Sequence, residues 1–271
     1  MASFKQFLSE DPYALSGLIE KGFMDWCRVN ASKYMDHAKD TPIFRGMKET
    51  KALGLIDTNG FNRVSKGGTP NYYTIWMDND PKWSKFPKRS KSYICSSGSY
   101  SRAYGSVHLI VPEDSANIGI CPRGDIWNSF PAMRDVYVSD IEDLVCHISD
   151  FLNSYGGSLS KKAEQDYSVL RTALVSITPE SAEDNDRPYS TDWGNYLKRN
   201  HLDSMLDIWD ANMGPSKNDF DQCAASTLFL HPRENVEMWV QGKCAIVALD
   251  KIDSFSKEFQ EFLRHNFKLE Q

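Results

Sequence analysis

Between Glu237 and Leu249 the chain carries two short apolar runs, Met238-Trp239-Val240 and Cys244-Ala245-Ile246-Val247-Ala248-Leu249, on either side of Gln241-Gly242-Lys243. Their lengths and side chains predict strands, and a carboxylate, Glu237, opens the first. Two strands do not persist alone in water, so the pair requires further strands elsewhere in the chain. The candidates are Pro42-Ile43-Phe44-Arg45-Gly46 and the segments 92–96, 107–112, 117–122 and 226–230.

Helical periodicity fills the rest. Leu15, Leu18, Ile19, Phe23, Trp26 and Cys27 recur at helical spacing within 13–38. Ser139-Asp140-Ile141-Glu142 has capping-box spacing ahead of an apolar face of Ile141, Leu144, Val145, Ile148, Phe151 and Leu152. Further helices are predicted over 160–176, around 202–209 and around 255–263. Residues 57–90 and 180–192 read as polar loops, and Ser99 to Tyr104 as one helical turn. The order helix, β cluster, helical middle, β cluster, helix predicts an α+β fold. Its N-terminal part, 1–40, is helical, and a helical insertion at 123–225 separates strands of one sheet system.

Composition excludes several classes. A net charge of −6 argues against bulk binding of polyanions. The six cysteines, at 27, 95, 121, 146, 223 and 244, contain no CxxC pair, which argues against a zinc ribbon or a thioredoxin-like site. The six histidines lack ligand spacing, so no metal is expected. An N-terminus without an apolar core and the lack of any apolar stretch of about 18–20 residues predict a reduced, cytoplasmic protein with no membrane contact.

Three predicted strands carry a polar group at one end: Arg45, Ser96-Ser97 and Glu237. Burying such groups without partners is costly, so their recurrence suggests a cleft where sheets meet. Plainer roles exist for each. Arg45 could pair with any acid, Ser96 to Ser99 could form a turn, and Glu237 could guard a sheet edge.

The set resembles the mono-ADP-ribosyltransferase family, in its branch with an Arg, a Ser-x-Ser strand and a catalytic Glu. The residues that carry the likeness are Phe44-Arg45-Gly46, the block from Ser92-Tyr93-Ile94-Cys95-Ser96-Ser97 to Val111-Pro112, and Glu237 through Val247. The family order, Arg then Ser then Glu, is kept. Cys95-Ser96-Ser97 stands where the family has Ser-Thr-Ser, so Ser97 is the alternative to Ser96. Asn235 occupies the position where arginine-specific members carry Glu or Gln.

The resemblance implies one catalytic domain over 1–271, with two packed, mainly antiparallel sheets around an NAD⁺ cleft. It implies transfer of ADP-ribose from NAD⁺, a substrate, to a macromolecule, without a metal. Glu237 would stabilise the charge that develops at the ribose C1. Arg45 would contact the diphosphate or the adjoining ribose, with Phe44 and Gly46 beside it, and Ser96 would brace Glu237 or the nicotinamide ribose. Tyr93 or Tyr104 would stack on nicotinamide. Glu234 is the rival carboxylate. Relatives of this kind serve as toxins, defence proteins or phage–host conflict factors, and a toxin implies a neutralising antitoxin partner. An NAD⁺ glycohydrolase and a non-enzymatic interaction protein are the alternatives. A hydrolase built on Cys95 with His108 or His147 is a remoter one.

The stretch from Pro81 to Tyr93 interleaves Lys82, Lys85, Lys88, Arg89 and Lys91 with Trp83, Phe86 and Tyr93. Cations that follow phosphates and rings that stack on bases suit a single-stranded nucleic acid. An RNA or DNA acceptor is one reading and a protein acceptor another, with Lys82, Trp83, Lys85, Lys88, Arg89 and Asn235 as contacts, and the patch could equally hold the NAD⁺ phosphates or an acidic protein. A solvated loop anchored by its aromatics is the plainer alternative.

Overall fold

The computed structural model describes residues 16–17, 19–47, 52–63, 70–98, 105–130, 141–154, 158–183 and 190–267. Two compact units emerge. One comprises Met1–Gly67, Lys85–Asp125 and Asp221–Gln271; the other comprises Gly68–Ser84 and Ile126–Phe220. No helix among the described residues is long and apolar enough to cross a membrane.

The first unit is α+β. Its strands are β1 (Ser16–Gly17), β2 (Ile43–Met47), β3 (Leu53–Asp57), β4 (Tyr93–Ser96), β5 (Ser106–Pro112), β6 (Asn117–Ile120), β7 (Asp221–Ala224), β8 (Glu237–Gln241) and β9 (Lys243–Ala248). They form one nine-stranded sheet in the order β1-β3-β9-β5-β2-β4-β8-β6-β7. Every pairing is antiparallel.

Two packed sheets were expected, and the strands are instead hydrogen-bonded into one. The link is slight, because β2 meets β4 at a single register position, Phe44 opposite Ser96. A five-strand group therefore hinges on a four-strand group. Residues of both, Leu109 and Val247 with Tyr93, Ile118 and Val240, share one apolar cluster. Burial of that common surface, at about 25 cal/mol per Å², favours curling the sheet over its own core. Helices α1 (Glu20–Asn30) and α2 (Ser32–Met35) add Phe23, Cys27 and Tyr34 to the cluster.

The opening pair of runs does not fold back on itself. β8 pairs with β4 and β6, whereas β9 pairs with β3 and β5. Gly242 turns the corner between the two groups, at φ +141. Its N–H donates to Thr58 Oγ1 at 2.8 Å, and a Cβ there would stand 2.9 Å from Ala116 Cβ. Only glycine meets both demands.

The second unit is helical: α3 (Tyr72–Asn79), α4 (Ile141–Ser154), α5 (Ser158–Ala163), α6 (Tyr167–Ser176), α7 (Pro179–Glu183), α8 (Ser190–Arg199) and α9 (Met205–Asn212). Trp76, Trp83 and Trp209 are buried within it. Asp166 caps α6, accepting from the N–H groups of Ser168 and Val169, and thereby splits the helix expected over 160–176. The last helix, α10 (Lys257–Asn266), returns to the first unit and contributes Phe259 and Leu263 to its core.

Several local expectations are corrected. The strand expected at 226–230 is a 3-10 helix, Ala225–Leu230, and the strand precedes it as β7. Residues 57–90 contain α3, a helix whose buried Tyr72, Tyr73, Trp76 and Met77 disguise any polar periodicity. The helix over 13–38 breaks at Ala31 into α1 and α2. The loop at 180–192 holds the end of α7 and the start of α8. The turn at 99–104 and the capping box at Ser139 lie outside the described residues.

Candidate functional site

Strand β4 sits between β2 and β8 and sets the geometry. Ser96 faces Phe44 on one side and Glu237 on the other, so three side chains form one row across three strands. Pleating sends alternate residues of β8 to opposite faces. Glu237 and Trp239 therefore share a face with Ser96 and Ile94, while Met238 and Val240 join Cys95 and Tyr93 in the core.

Glu237 is 2% exposed. Its Oε1 lies 2.5 Å from Arg89 Nη1, and the Cys121 thiol donates to the same oxygen at 3.9 Å. Its Oε2 is buried and makes no hydrogen bond to any described residue. The rival Glu234 is exposed. A carboxylate in so desolvated a setting interacts more strongly with a charge placed beside it than it would in water.

Ser96 and Ser97 make different contacts. Ser96 stands beside Glu237, and its hydroxyl accepts from Gly98 N–H at 3.1 Å. Ser97 Oγ instead accepts from Val236 N–H at 3.1 Å, and Ser97 N–H donates to Val236 O at the same distance. Ser97 thus fixes the entry to β8. Asn235, exposed and at φ +55, completes that entry. A Cβ on Gly98 would fall 2.0 Å from Asn235 Oδ1, so any larger residue there requires the Asn235 side chain to move.

Arg45 departs from expectation. It was placed in one cleft with Ser96 and Glu237, but it follows Phe44 along β2 and its side chain takes the other face. Its guanidinium lies 4.2 Å from the Tyr93 ring centre, and Nη1 donates to Ile94 O at 2.7 Å. Tyr93 is buried beneath it and donates its hydroxyl to Met47 Sδ. The pleat, not the sequence order, decides this. Arg45 and Tyr93 therefore brace β4 from the core side. Gly46 is buried opposite Val107, and Tyr104 lies outside the described residues.

The basic stretch divides. Lys82 and Trp83 belong to the helical unit. There Lys82 Nζ pairs with Asp210 Oδ1 at 2.8 Å, and the Trp83 indole is buried, donating to Met213 O at 2.8 Å. Trp83 offers no face to a base. Lys85 and Lys88 are exposed, and Arg89 is buried on Glu237.

Residues that sequence reasoning passed over complete the setting. Arg63, nearly buried, donates to Ser92 O at 3.2 Å. Trp239 Nε1 donates to Pro87 O at 2.9 Å, and Gln241 Oε1 accepts from Lys88 N–H at 2.9 Å. The alternation Glu237, Trp239, Gln241 was the available signal, since period two places all three on one face.

Cys95 is buried in the core. Burial pushes its thiol up to about 12, against the opposing pull of Arg45 and Arg63. Burial likewise lowers the pKa of His108. Among the described residues no group of three or more His, Cys, Asp or Glu side chains is placed to hold a metal. No family model, curated protein or solved structure matches this chain.

Proposed function

We propose that the protein is a mono-ADP-ribosyltransferase with an ADP-ribosyltransferase-like sheet core, and that Glu237 is its catalytic carboxylate. The observation that carries this reading is the buried Glu237 beside Ser96, with Oε2 bare of hydrogen bonds. As the bond from ribose C1 to the nicotinamide nitrogen breaks, its electron pair leaves with nicotinamide and positive charge grows on the sugar. A carboxylate oxygen in a desolvated site stabilises that charge. A nucleophile of the acceptor then bonds to C1 and gives up its proton. Ser96 stands beside the carboxylate, and Arg45 acts through β4, keeping the register of Ser96 with Glu237.

The acceptor is a nucleic acid or a protein, and Lys85 and Lys88 are the exposed cations nearest in sequence to Arg89. A role as a toxin or defence factor, with a neutralising partner, belongs to the same proposal.

A second reading has one observation in its favour. Glu237 and Arg89 are both 2% exposed and paired, which is also how a purely structural ion pair looks. Incubation with labelled NAD⁺ and separate pools of protein, RNA and DNA tests both. Label in one pool, lost in Glu237→Gln, supports transfer. Free ADP-ribose alone identifies a glycohydrolase. Neither product in the wild-type protein leaves the structural pair.

A further inference from the structure

The segment Phe86 to Arg89 lies along β8 as a strap. Phe86 stacks on Trp239, with ring centres 6.3 Å apart and planes 22° from parallel. The Trp239 indole donates to Pro87 O, Lys88 N–H donates to Gln241 Oε1, and Arg89 Nη1 reaches Glu237 Oε1. Every second residue of β8 is thus held by this one segment. The strap is itself secured: Ser92 Oγ donates to Lys88 O at 2.7 Å, and Arg63 N–H donates to Ser90 O at 2.8 Å.

A glutamate has three side-chain torsions and two chemically equal oxygens. Arg89 removes that equivalence by engaging Oε1, while Oε2 stays buried and without a hydrogen bond to any described residue. We propose that Arg89 is the positioning residue of the site, engaging Oε1 and holding the Glu237 carboxylate in one orientation. The strap therefore carries part of the catalytic geometry, through a guanidinium distant in sequence from the residue it orients. This inference rests on the reading of Glu237 as the catalytic carboxylate.

The test compares wild type, Glu237→Gln, Arg89→Lys and Arg89→Met in nicotinamide release, with NAD⁺ affinity measured by calorimetry and folding checked by circular dichroism. Misplacement of a reacting group by about 1 Å costs on the order of 100-fold in rate. Arg89→Met should therefore lose about that factor in kcat with the NAD⁺ Kd unchanged. Arg89→Lys, which keeps the charge but not the planar fork, should recover part of it. Should Arg89→Met not fold, Arg89→Lys decides, by the same drop in kcat at constant Kd. Turnover kept in the folded Arg89 variants while Glu237→Gln is dead overturns the positioning role and leaves the reading of Glu237 intact. No nicotinamide release from wild type overturns both.

Discussion

Arg89 Nη1 and Glu237 Oε1 meet at 2.5 Å, and neither side chain is more than 2% exposed. A charge pair removed from water to that extent is asymmetric in its energetics. Deleting one partner strands the other, whereas replacing both by apolar groups costs little.

Arg89→Met is accordingly expected to lower stability by about 3–5 kcal/mol. The double variant Arg89→Met/Glu237→Met should recover most of that loss. Urea unfolding of the four proteins in the cycle measures it, and equal losses in the single and double variants would refute the pairing.

Gly242 should resist substitution. Its φ of +141 and a Cβ position 2.9 Å from Ala116 Cβ make Gly242→Ala strained and crowded together. Overpacking costs about 1–3 kcal/mol, and the strain adds to it. Gly98→Ala differs, because the clash is with the Asn235 side chain. Asn235→Gly accepts the same positive φ and removes the obstacle, so Gly98→Ala/Asn235→Gly should melt higher than Gly98→Ala alone.

Thiol chemistry has a sharp expectation. Cys146 is exposed, and the other five cysteines are buried. In a timed reaction with Ellman's reagent one equivalent should react quickly and five only on unfolding. Burial raises Cys27, Cys95 and Cys223 each to about 12. A raised acid favours the folded state at low pH, so this contribution is complete below the unfolded thiol value of about 9 and is lost as pH climbs towards 12. Unfolding midpoints should fall across that window.

Asp221 contributes to the acid limb. Burial pushes its carboxyl up, but the bond to His231, at 2.6 Å, and the Gln222 N–H outweigh burial and hold it below its ordinary value. A lowered carboxylate contributes stability above its unfolded pKa and loses it as pH falls through the folded one. Asp221→Asn should therefore flatten the acid end of the stability profile. An unchanged slope there would place that dependence on other carboxylates.

Glu237 was legible because a carboxylate opening Met238-Trp239-Val240 conflicts with its surroundings, and such conflicts survive any change of register. Arg89 was visible only as one cation in a basic stretch, and was expected on an acceptor. Its partner lies 148 residues away, a separation that periodicity cannot bridge. Trp83 misled for the same reason. An aromatic flanked by lysines reads as a stacking ring until a distant carbonyl, Met213 O, claims its indole.

Local pattern alone determined that β4, β5, β6, β8 and β9 are strands and that α4 and α10 are helices, because apolar spacing of two or three to four is a property of neighbours along the chain. Tertiary structure decided the rest. It made one sheet of two strand groups through the single meeting of Phe44 with Ser96, turned Arg45 to the core, and laid Arg89 on Glu237. These outcomes depend on which strand lies beside which and on the face each pleat presents, and those are set by burial of the whole core.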